Sequence, residues 1–225
     1  VVLLNSDTVV TPGWIEGMVD CARSDPQIAF VGPLSNAASW QSVPDVKDAR
    51  GGWKVNLLPL NLDTAGMAAM VRERSERRYP RVPLLNGFCT MMRTDVLAEL
   101  HYLDEASFPM GYGEENDLCV RAGKAGYQLA IADDVYVYHS KSASFGSERR
   151  KILSKAGNRA LSEKHPDVDF KALELKLAEA LPVVALRGKL RAALQAHGGG
   201  GELGPAEEAD AATFDPVAPA QEAAE

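Results

Sequence analysis

The chain has 225 residues, of which 46% are apolar and 24% charged, and this composition is typical of a soluble globular protein of one large domain. Its formal net charge of −7 comes from seven acidic residues after Gly198, where Lys and Arg are absent, and the remaining 24 acids balance 24 bases. A neutral body excludes a general nucleic-acid binder, and the absence of an apolar run of about 20 residues excludes an integral membrane protein.

The first part of the chain predicts alternating strands and helices. Val1–Leu4 is an apolar run that predicts a buried strand, and because such a strand needs neighbours on both sides, we expect a piece of a longer protein. A helix is predicted to open at Thr11-Pro12 and to end at Asp25-Pro26, followed by a strand over 28–32. The Pro-, Asn- and Ser-rich residues 33–62 predict a long loop that is functional or mobile. This alternation indicates the α/β class.

The second part continues the pattern with helices predominating. Strands are predicted over 82–92, interrupted at Asn86-Gly87, and over 127–130 and 135–138. Helices are predicted over 63–78 with Asp63 as the cap, 94–100 with Thr94 as the cap, 114–125, 147–164, 169–180 and 183–196. The last helix is basic and amphipathic, so it either lies on an anionic membrane surface or packs on its own domain or a partner. Residues 198–225, rich in Ala, Pro, Gly and Glu, predict a disordered acidic tail.

Three cysteines (Cys21, Cys89 and Cys119) are far apart and show no CxxC spacing. This pattern is typical of small core residues in a reducing compartment rather than of a disulfide framework or a structural zinc site.

A first candidate site is Asn5-Ser6-Asp7, at the carboxyl end of the first predicted strand. Ligands gather at such strand ends in open α/β sheets, and an aspartate there can bind a divalent cation that bridges substrate phosphates. The alternative is that Asp7 only caps a turn.

A second candidate is the segment Gly111–Asp117, in which Glu114 and Glu115 follow a Gly-flanked tyrosine. Acids at a helix start are favoured by the helix dipole whatever their function. Two adjacent carboxylates also raise each other's proton affinity, which suits a general base. Asp117 and Arg121 are four residues apart and are interpreted as a structural ion pair.

A third candidate is His139, which a predicted strand delivers next to Lys141. Histidine is a common metal ligand, although a histidine in this position can also be a hydrogen-bonded surface residue. The helix that follows carries Arg149 and Arg150 in its first turn, where they either hold a diphosphate or form a solvated face.

The order of these motifs resembles glycosyltransferase family 2, whose members have the GT-A fold. The resemblance covers about residues 1–166 and rests on four segments: LLNSDTVVTPGW resembles the acidic metal motif, LLNGFCTMMRTDVL the acceptor-side segment, FPMGYGEENDLCVRAGKAGY the ED motif, and VYVYHSKSASFG the strand with a metal-binding histidine. The segment GPLSNAASWQSVP further resembles rhamnosyltransferase-like bacterial members that build surface polysaccharides such as O-antigens.

The resemblance implies a GT-A (Rossmann-like) mixed sheet with flanking helices, and an inverting transfer of a sugar from a nucleotide-diphosphate sugar to the hydroxyl of a glycan or lipid-linked glycan. By motif, it implies Mg2+ or Mn2+ at Asp7, His139 and Asn5, catalysis by Glu115 with Glu114, diphosphate contacts from Lys141, Arg149 and Arg150, and acceptor contacts from Asn86, Gly87 and Tyr112. It also implies a cytoplasmic enzyme, with peripheral contact at the inner face of the plasma membrane as a further expectation.

Two positions depart from the family pattern: Asn5 replaces the first acid of the metal motif, and Glu115 replaces the usual aspartate. The strands that normally precede the metal motif are absent, so we expect 1–166 to be the later part of a GT-A domain without a complete donor site. We expect 167–197 to form a helical extension. A nucleotidyltransferase on a similar scaffold and a non-catalytic glycan-binding or scaffold module remain the alternatives.

Overall fold

The computed structural model describes residues 1–141, 147–179 and 181–198. Within the helices, the side chains of residues 147–151, 178, 181, 182 and 198 are also left undescribed. The acidic tail after residue 198, for which disorder is predicted, lies outside these residues.

In the part of the chain that the structure describes, seven strands form a mixed five-stranded sheet and a small two-stranded ribbon. They are β1 (Val2–Leu4), β2 (Thr8–Val9), β3 (Ile28–Leu34), β4 (Arg81–Val82), β5 (Cys89–Met92), β6 (Gln128–Tyr136) and β7 (Tyr138–His139). The order in the sheet is β1-β5-β3-β6-β4, with β3 and β6 parallel and the other pairs antiparallel, while β2 pairs with β7.

Helices cover both faces of this sheet. They are α1 (Trp14–Arg23), α2 (Thr64–Arg74), α3 (Thr94–Glu99), α4 (Glu114–Lys124), α5 (Ser147–Lys164), α6 (Phe170–Ala178) and α7 (Leu181–Gly198). Side chains alternate along β6, so Ala130 and Ala132 face the cluster that contains α1, whereas Leu129 and Ile131 face the cluster that contains α2, α4 and α7. The mixed sheet with flanking helices confirms the predicted α/β class and is consistent with a GT-A fold.

The first strand is less buried than its apolar sequence predicts. Leu3 and Leu4 are 38% and 44% exposed, because β1 lies at the edge of the sheet and pairs only with β5 in the described part of the chain. β5 supplies the neighbour on one side of β1, and a neighbour on its other side stays a prediction.

Two predicted helix starts are also displaced. The first helix begins at Trp14 because Gly13 adopts a left-handed conformation (φ 72°), and Thr11 instead donates a hydrogen bond to the carbonyl of Tyr136 (2.6 Å). Arg93, not Thr94, precedes the first turn of α3. Asp63 caps α2 as predicted, by accepting a hydrogen bond from the N–H of Gly66 (2.7 Å), although α2 ends four residues early.

The strand predicted over 82–92 is two strands that pair in different places. β4 lies at the far edge beside β6, whereas β5 lies between β1 and β3. The residues between them run from one side of β3 and β6 to the other, and this crossing brings Asn86 and Gly87 to the pocket described below.

The two strands predicted on either side of residues 131–134 form one continuous strand. Two buried acids interrupt the apolar pattern there, and each has a partner distant in sequence. Asp133 accepts a hydrogen bond from the N–H of Tyr79 (2.9 Å), and Asp134 forms an ion pair with Arg77 (3.1 Å). Acids in a buried strand are tolerated when such partners exist.

The three cysteines are buried and free, which confirms their interpretation as core residues. Burial raises the pKa of the Cys21 and Cys89 thiols to about 12, so that both stay protonated.

The basic amphipathic helix α7 packs on its own domain. Val183, Leu186 and Leu190 are buried in the same apolar cluster as the sheet. Arg187 is only 2% exposed and donates hydrogen bonds from Nε to the carbonyl of Ser42 (3.0 Å) and from Nη2 to the carbonyl of Trp40. The apolar face of α7 is therefore occupied, and no helix in the described ranges has the length and apolar character needed to cross a bilayer.

Replacing Arg187 with alanine is expected to lower the free energy of unfolding by about 3 kcal/mol, because two buried carbonyls lose their donor. Arg191, which forms an exposed ion pair with Asp45 (2.6 Å), provides the control, and its replacement with alanine should cost at most about 1 kcal/mol. Urea denaturation measures both variants, and equal losses would contradict the buried role of Arg187.

Candidate active site

A cavity of about 530 Å³ gathers the candidate residues from four separate segments of the chain. The predicted site residues that line it are Asn5, Asp7, Asn86, Gly87, Tyr112, Glu114, Glu115, His139 and Lys141. The side chains of Arg149 and Arg150 lie outside the described residues.

The small ribbon of β2 and β7 brings Asp7 and His139 together. Thr8 pairs with His139 across the ribbon, and the N–H of Ser140 donates to the carbonyl of Asp7 (2.9 Å). Nε2 of His139 consequently lies 3.2 Å from Oδ1 of Asp7, although the two residues are 132 positions apart.

Asn36 holds the backbone of His139, a role that the sequence did not reveal. Its Oδ1 accepts from the N–H of His139 (2.7 Å) and its Nδ2 donates to the carbonyl of the same residue (3.0 Å). The imidazole stacks on Phe88, with ring centroids 5.4 Å apart, and its Nδ1 lies 3.0 Å from the carbonyl of Ala37. These contacts fix the direction in which Nε2 points.

The protonation state of His139 suits a metal ligand. Burial, and then the charge of Lys141, lowers the pKa of the imidazole, with Asp7 opposing this shift in part. In the neutral tautomer that donates from Nδ1 to Ala37, Nε2 presents a lone pair toward the Asp7 carboxylate. A cation between the two groups would be stabilised by both.

The donor set therefore fits a divalent cation that takes its remaining ligands from water or from a bound molecule. One carboxylate and one imidazole suit Mn2+ better than Mg2+, which prefers oxygen ligands. Within the described residues, no group of three or more His, Cys, Asp or Glu side chains could enclose a metal ion by itself. Asn5 lines the same cavity and offers an amide oxygen.

A turn with three consecutive positive φ angles presents the two glutamates. Gly111, Tyr112 and Gly113 have φ angles of 77°, 66° and 135° before α4 begins at Glu114. The N–H of Gly113 points toward Oε2 of Glu115 (3.4 Å). The turn thus aims both carboxylates into the cavity from the first turn of α4.

Glu115 has the proton affinity of a base that works near neutral pH. Its half-buried position, and then the charge of Glu114, raises the pKa of the Glu115 carboxyl to about 7, and the N–H of Gly113 offsets this only in part. A carboxylate with this pKa can accept a proton from a hydroxyl that is losing it in the transition state.

Replacing Glu114 with glutamine is expected to move the ascending limb of the pH–rate profile to lower pH, because the charge that raises the pKa of Glu115 is removed. Initial rates of transfer between pH 5 and pH 9 measure the shift. An unchanged limb would mean that Glu114 does not influence the base.

Gly87 makes room for the Glu115 carboxylate. A Cβ on Gly87 would lie 3.0 to 3.1 Å from Cγ, Cδ and Oε1 of Glu115. The neighbouring Asn86 is held by its N–H, which donates to Oε1 of the buried Gln41 (2.6 Å), and Gln41 is a second residue whose role the sequence did not reveal.

The variant Gly87→Ala is expected to displace Glu115 by a few tenths of an ångström and to lower turnover about tenfold, since catalytic positions tolerate little displacement. Gly52→Ala, on the exposed loop 48–53, is the control and should keep the rate. Turnover of Gly87→Ala equal to that of the control would contradict the close contact.

Comparison with known proteins agrees with this architecture. The family model described as "Glycosyltransferase like family 2" matches residues 1–157, and the chain belongs to this family.

Two mycobacterial relatives show similarity over much of the chain. It is 29% identical over 158 residues to an N-acetylglucosaminyl-diphospho-decaprenol L-rhamnosyltransferase of Mycobacterium tuberculosis, a match that covers 68% of this chain and 51% of the relative. It is 27% identical over 152 residues to an uncharacterised protein of Mycobacterium bovis, which covers 65% of this chain and 50% of that protein. The chain spans about half the length of the curated relatives it matches.

Proposed function

We propose that this chain carries the acceptor and metal side of an inverting glycosyltransferase that moves a sugar from a nucleotide-diphosphate donor to an acceptor hydroxyl. The observation that supports this proposal most strongly is the convergence of Asp7, His139 and Glu115 on one cavity. The family match and the rhamnosyltransferase relative are consistent with it.

In the proposed reaction, Glu115 accepts the proton of the acceptor hydroxyl while that oxygen attacks the anomeric carbon. The bond between this carbon and the donor diphosphate breaks, so the nucleoside diphosphate leaves from the opposite face and the configuration inverts. Asp7 and His139 would hold Mg2+ or Mn2+, which neutralises charge on the diphosphate when bound. Lys141, Arg149 and Arg150 are proposed to contact the same phosphates.

We propose a lipid-linked glycan as the acceptor and a surface glycan of the bacterial cell as the product. The support is the name of the Mycobacterium tuberculosis relative, which states a diphospho-decaprenol acceptor and rhamnose as the sugar transferred. Asn86, Gly87 and Tyr112, which line the cavity beside Glu115, are proposed to contact the acceptor sugar.

The same proposal places the protein on the cytoplasmic side, in peripheral contact with the inner face of the membrane. The support is the lipid-linked acceptor alone, because the apolar face of α7 is buried against the sheet. Co-sedimentation with anionic vesicles, with and without a polyprenyl-diphosphate sugar, tests this contact. Pelleting that does not depend on the acceptor would show that another surface binds lipid.

Transfer assays of the full-length protein, with a panel of nucleotide sugars and polyprenyl-diphosphate N-acetylglucosamine, test the reaction itself. Transfer that requires a divalent cation and is lost in Glu115→Gln would support the proposal. Release of pyrophosphate would indicate a nucleotidyltransferase instead, and acceptor binding without turnover would indicate a glycan-binding module.

A further inference from the structure

Helix α5 contacts, along one face, the segment that presents the two pocket glutamates. Gly157, Leu161 and Lys164 lie on this face, at spacings of three to four residues that place them on one side of a helix, and His165 directly follows the last residue of α5. Gly157, Leu161 and His165 are buried and Lys164 is half-buried, whereas Lys155 on the other side is exposed.

The upper contact joins Gly157 to the turn before α4. A Cβ on Gly157 would lie 1.5 Å from the carbonyl oxygen of Tyr112, so the helix touches the backbone of the turn and only glycine fits. Tyr112 itself has a φ of 66°, a left-handed conformation that is unfavourable for a residue with a side chain. Such a conformation persists when neighbouring structure holds it in place.

The middle contact joins Leu161 to Gly113, the last residue of the turn. A Cβ on Gly113 would lie 3.0 Å from Cδ1 of Leu161 and 2.9 Å from Cε1 of Phe108. The turn is therefore enclosed by α5 on one side and by Phe108 on another.

The lower contact is a buried ion cluster centred on Asp117, two residues after Glu115. Asp117 is fully buried and accepts from Nε2 of His165, Nζ of Lys164 and Nε of Arg121, each at 2.8 Å. Burial by itself would raise the pKa of this carboxyl, but these three hydrogen bonds hold it below its usual value. Three donors restrict the Asp117 carboxylate to one position, so this end of α5 is fixed to α4.

We propose that α5 positions the Glu114–Glu115 pair, with Gly157 as the central positioning residue and the Asp117 cluster as the anchor of the same helix face. The contacts of Gly157 and Leu161 hold the turn that precedes the glutamate pair, and the Asp117 cluster holds the part of α4 that follows it. A shift of α5 therefore moves both carboxylates relative to the cavity. The consequence for sugar transfer rests on the proposed function, whereas the positioning itself does not.

The variant Gly157→Ala tests the proposal, because the added methyl must push the Tyr112 carbonyl away by more than 1 Å. Gly123 in α4 and Gly188 in α7 are matched controls, since a Cβ at either position meets nothing within 4 Å. Alanine at these control positions should leave the fold intact and slightly raise stability through helix propensity.

The primary measurement is the titration of Glu115 in the protein without substrate, followed by 13C NMR of side-chain carboxyl carbons and assigned with Glu115→Gln. The charge of Glu114 raises the pKa of Glu115, and the N–H of Gly113 partly offsets this effect. Gly87 contacts the Glu115 side chain, and the charged residues Asp7 and Lys141 line the same cavity. In Gly157→Ala we expect the Glu115 titration to move toward that of an ordinary glutamate, and in both control variants to stay as in the wild type.

If Gly157→Ala does not fold, a second variant tests whether α5 positions Glu115. Lys164→Met keeps the apolar stem and removes one partner of Asp117, with the exposed Lys155→Met as its control. We expect a smaller movement of the Glu115 titration in the same direction for Lys164→Met alone. A wild-type titration in every folded variant of Gly157 and Lys164 would overturn the proposal.

Turnover supplies the functional readout. A displacement of about 1 Å should lower kcat by about 100-fold in Gly157→Ala and change KM much less. Transfer is measured with the full-length protein that contains this chain. If that protein transfers no sugar, the proposed function fails, but the NMR titrations still report on positioning.

Discussion

Replacing Glu115 with glutamine is expected to lower the rate of sugar transfer by about 10²- to 10⁴-fold, the usual contribution of a general base. Glutamine keeps the size of the side chain, so the contact with Gly87 and the start of α4 should persist. What is lost is the carboxylate that accepts the proton of the acceptor hydroxyl. Initial rates at saturating donor and acceptor measure the loss.

The same substitution has a second consequence that does not depend on activity. The pKa of Glu115 is raised to about 7 in the folded protein from the ordinary glutamate value of 4.5, so the folded state holds this proton more tightly than the unfolded state does. The wild type therefore loses stability as the pH rises from about 4.5 to about 7, whereas Glu115→Gln does not titrate. Because water at the mouth of the cavity weakens the effect, the variant should gain about 1–2 kcal/mol relative to the wild type between pH 4 and pH 8.

Glu105→Gln is the matched control, because Glu105 is exposed. It should retain turnover and show no pH-dependent difference in the free energy of unfolding. Wild-type turnover in Glu115→Gln would remove its assignment as the base. A stability difference that is the same at pH 4 and pH 8 would show that its proton affinity is ordinary.

The second large effect is expected at Asp7. Replacing Asp7 with asparagine removes the one negative charge of the Asp7–His139 pair but keeps the side-chain volume. We expect the affinity for Mn2+ to fall by about 10- to 100-fold, the range typical when a metal site loses one of the side chains that bind or orient the ion. Electron paramagnetic resonance of free Mn2+, with and without a nucleoside diphosphate, measures the affinity.

Asp20→Asn provides the control, since Asp20 is an exposed aspartate on α1. His139→Ala should weaken Mn2+ binding as Asp7→Asn does, because both groups face the same point at 3.2 Å from each other. Undiminished Mn2+ binding in both site variants would exclude this pair as the metal site.

The sequence predicted which residues share the cavity better than it predicted what holds them there. Asp7, Glu115 and His139 stand at strand ends or at a helix start, positions that local patterns reveal. Gly157 and Asn36 act through contacts with residues far away in the chain, and no periodicity marks such contacts.

The sequence did not show how β6 continues or which of the two alternatives for α7 holds, and both have the same origin. Asp133 interrupts the apolar pattern of β6, yet distant backbone N–H groups satisfy it, so the strand continues. Arg187 gives α7 the pattern of a membrane-surface helix, but the carbonyls of Trp40 and Ser42 accept its hydrogen bonds inside the domain. In both cases a charged side chain has a buried partner that only the tertiary structure supplies.

We propose that one cavity holds both the cation and the base. Paramagnetic relaxation by Mn2+ tests directly whether the bound cation lies close to Glu115. With side-chain carboxyl carbons labelled, substoichiometric Mn2+ should broaden the Glu115 signal in the wild type and leave it sharp in Asp7→Asn. A Glu115 signal that stays sharp in the wild type while carboxylates on other surfaces broaden would contradict the account.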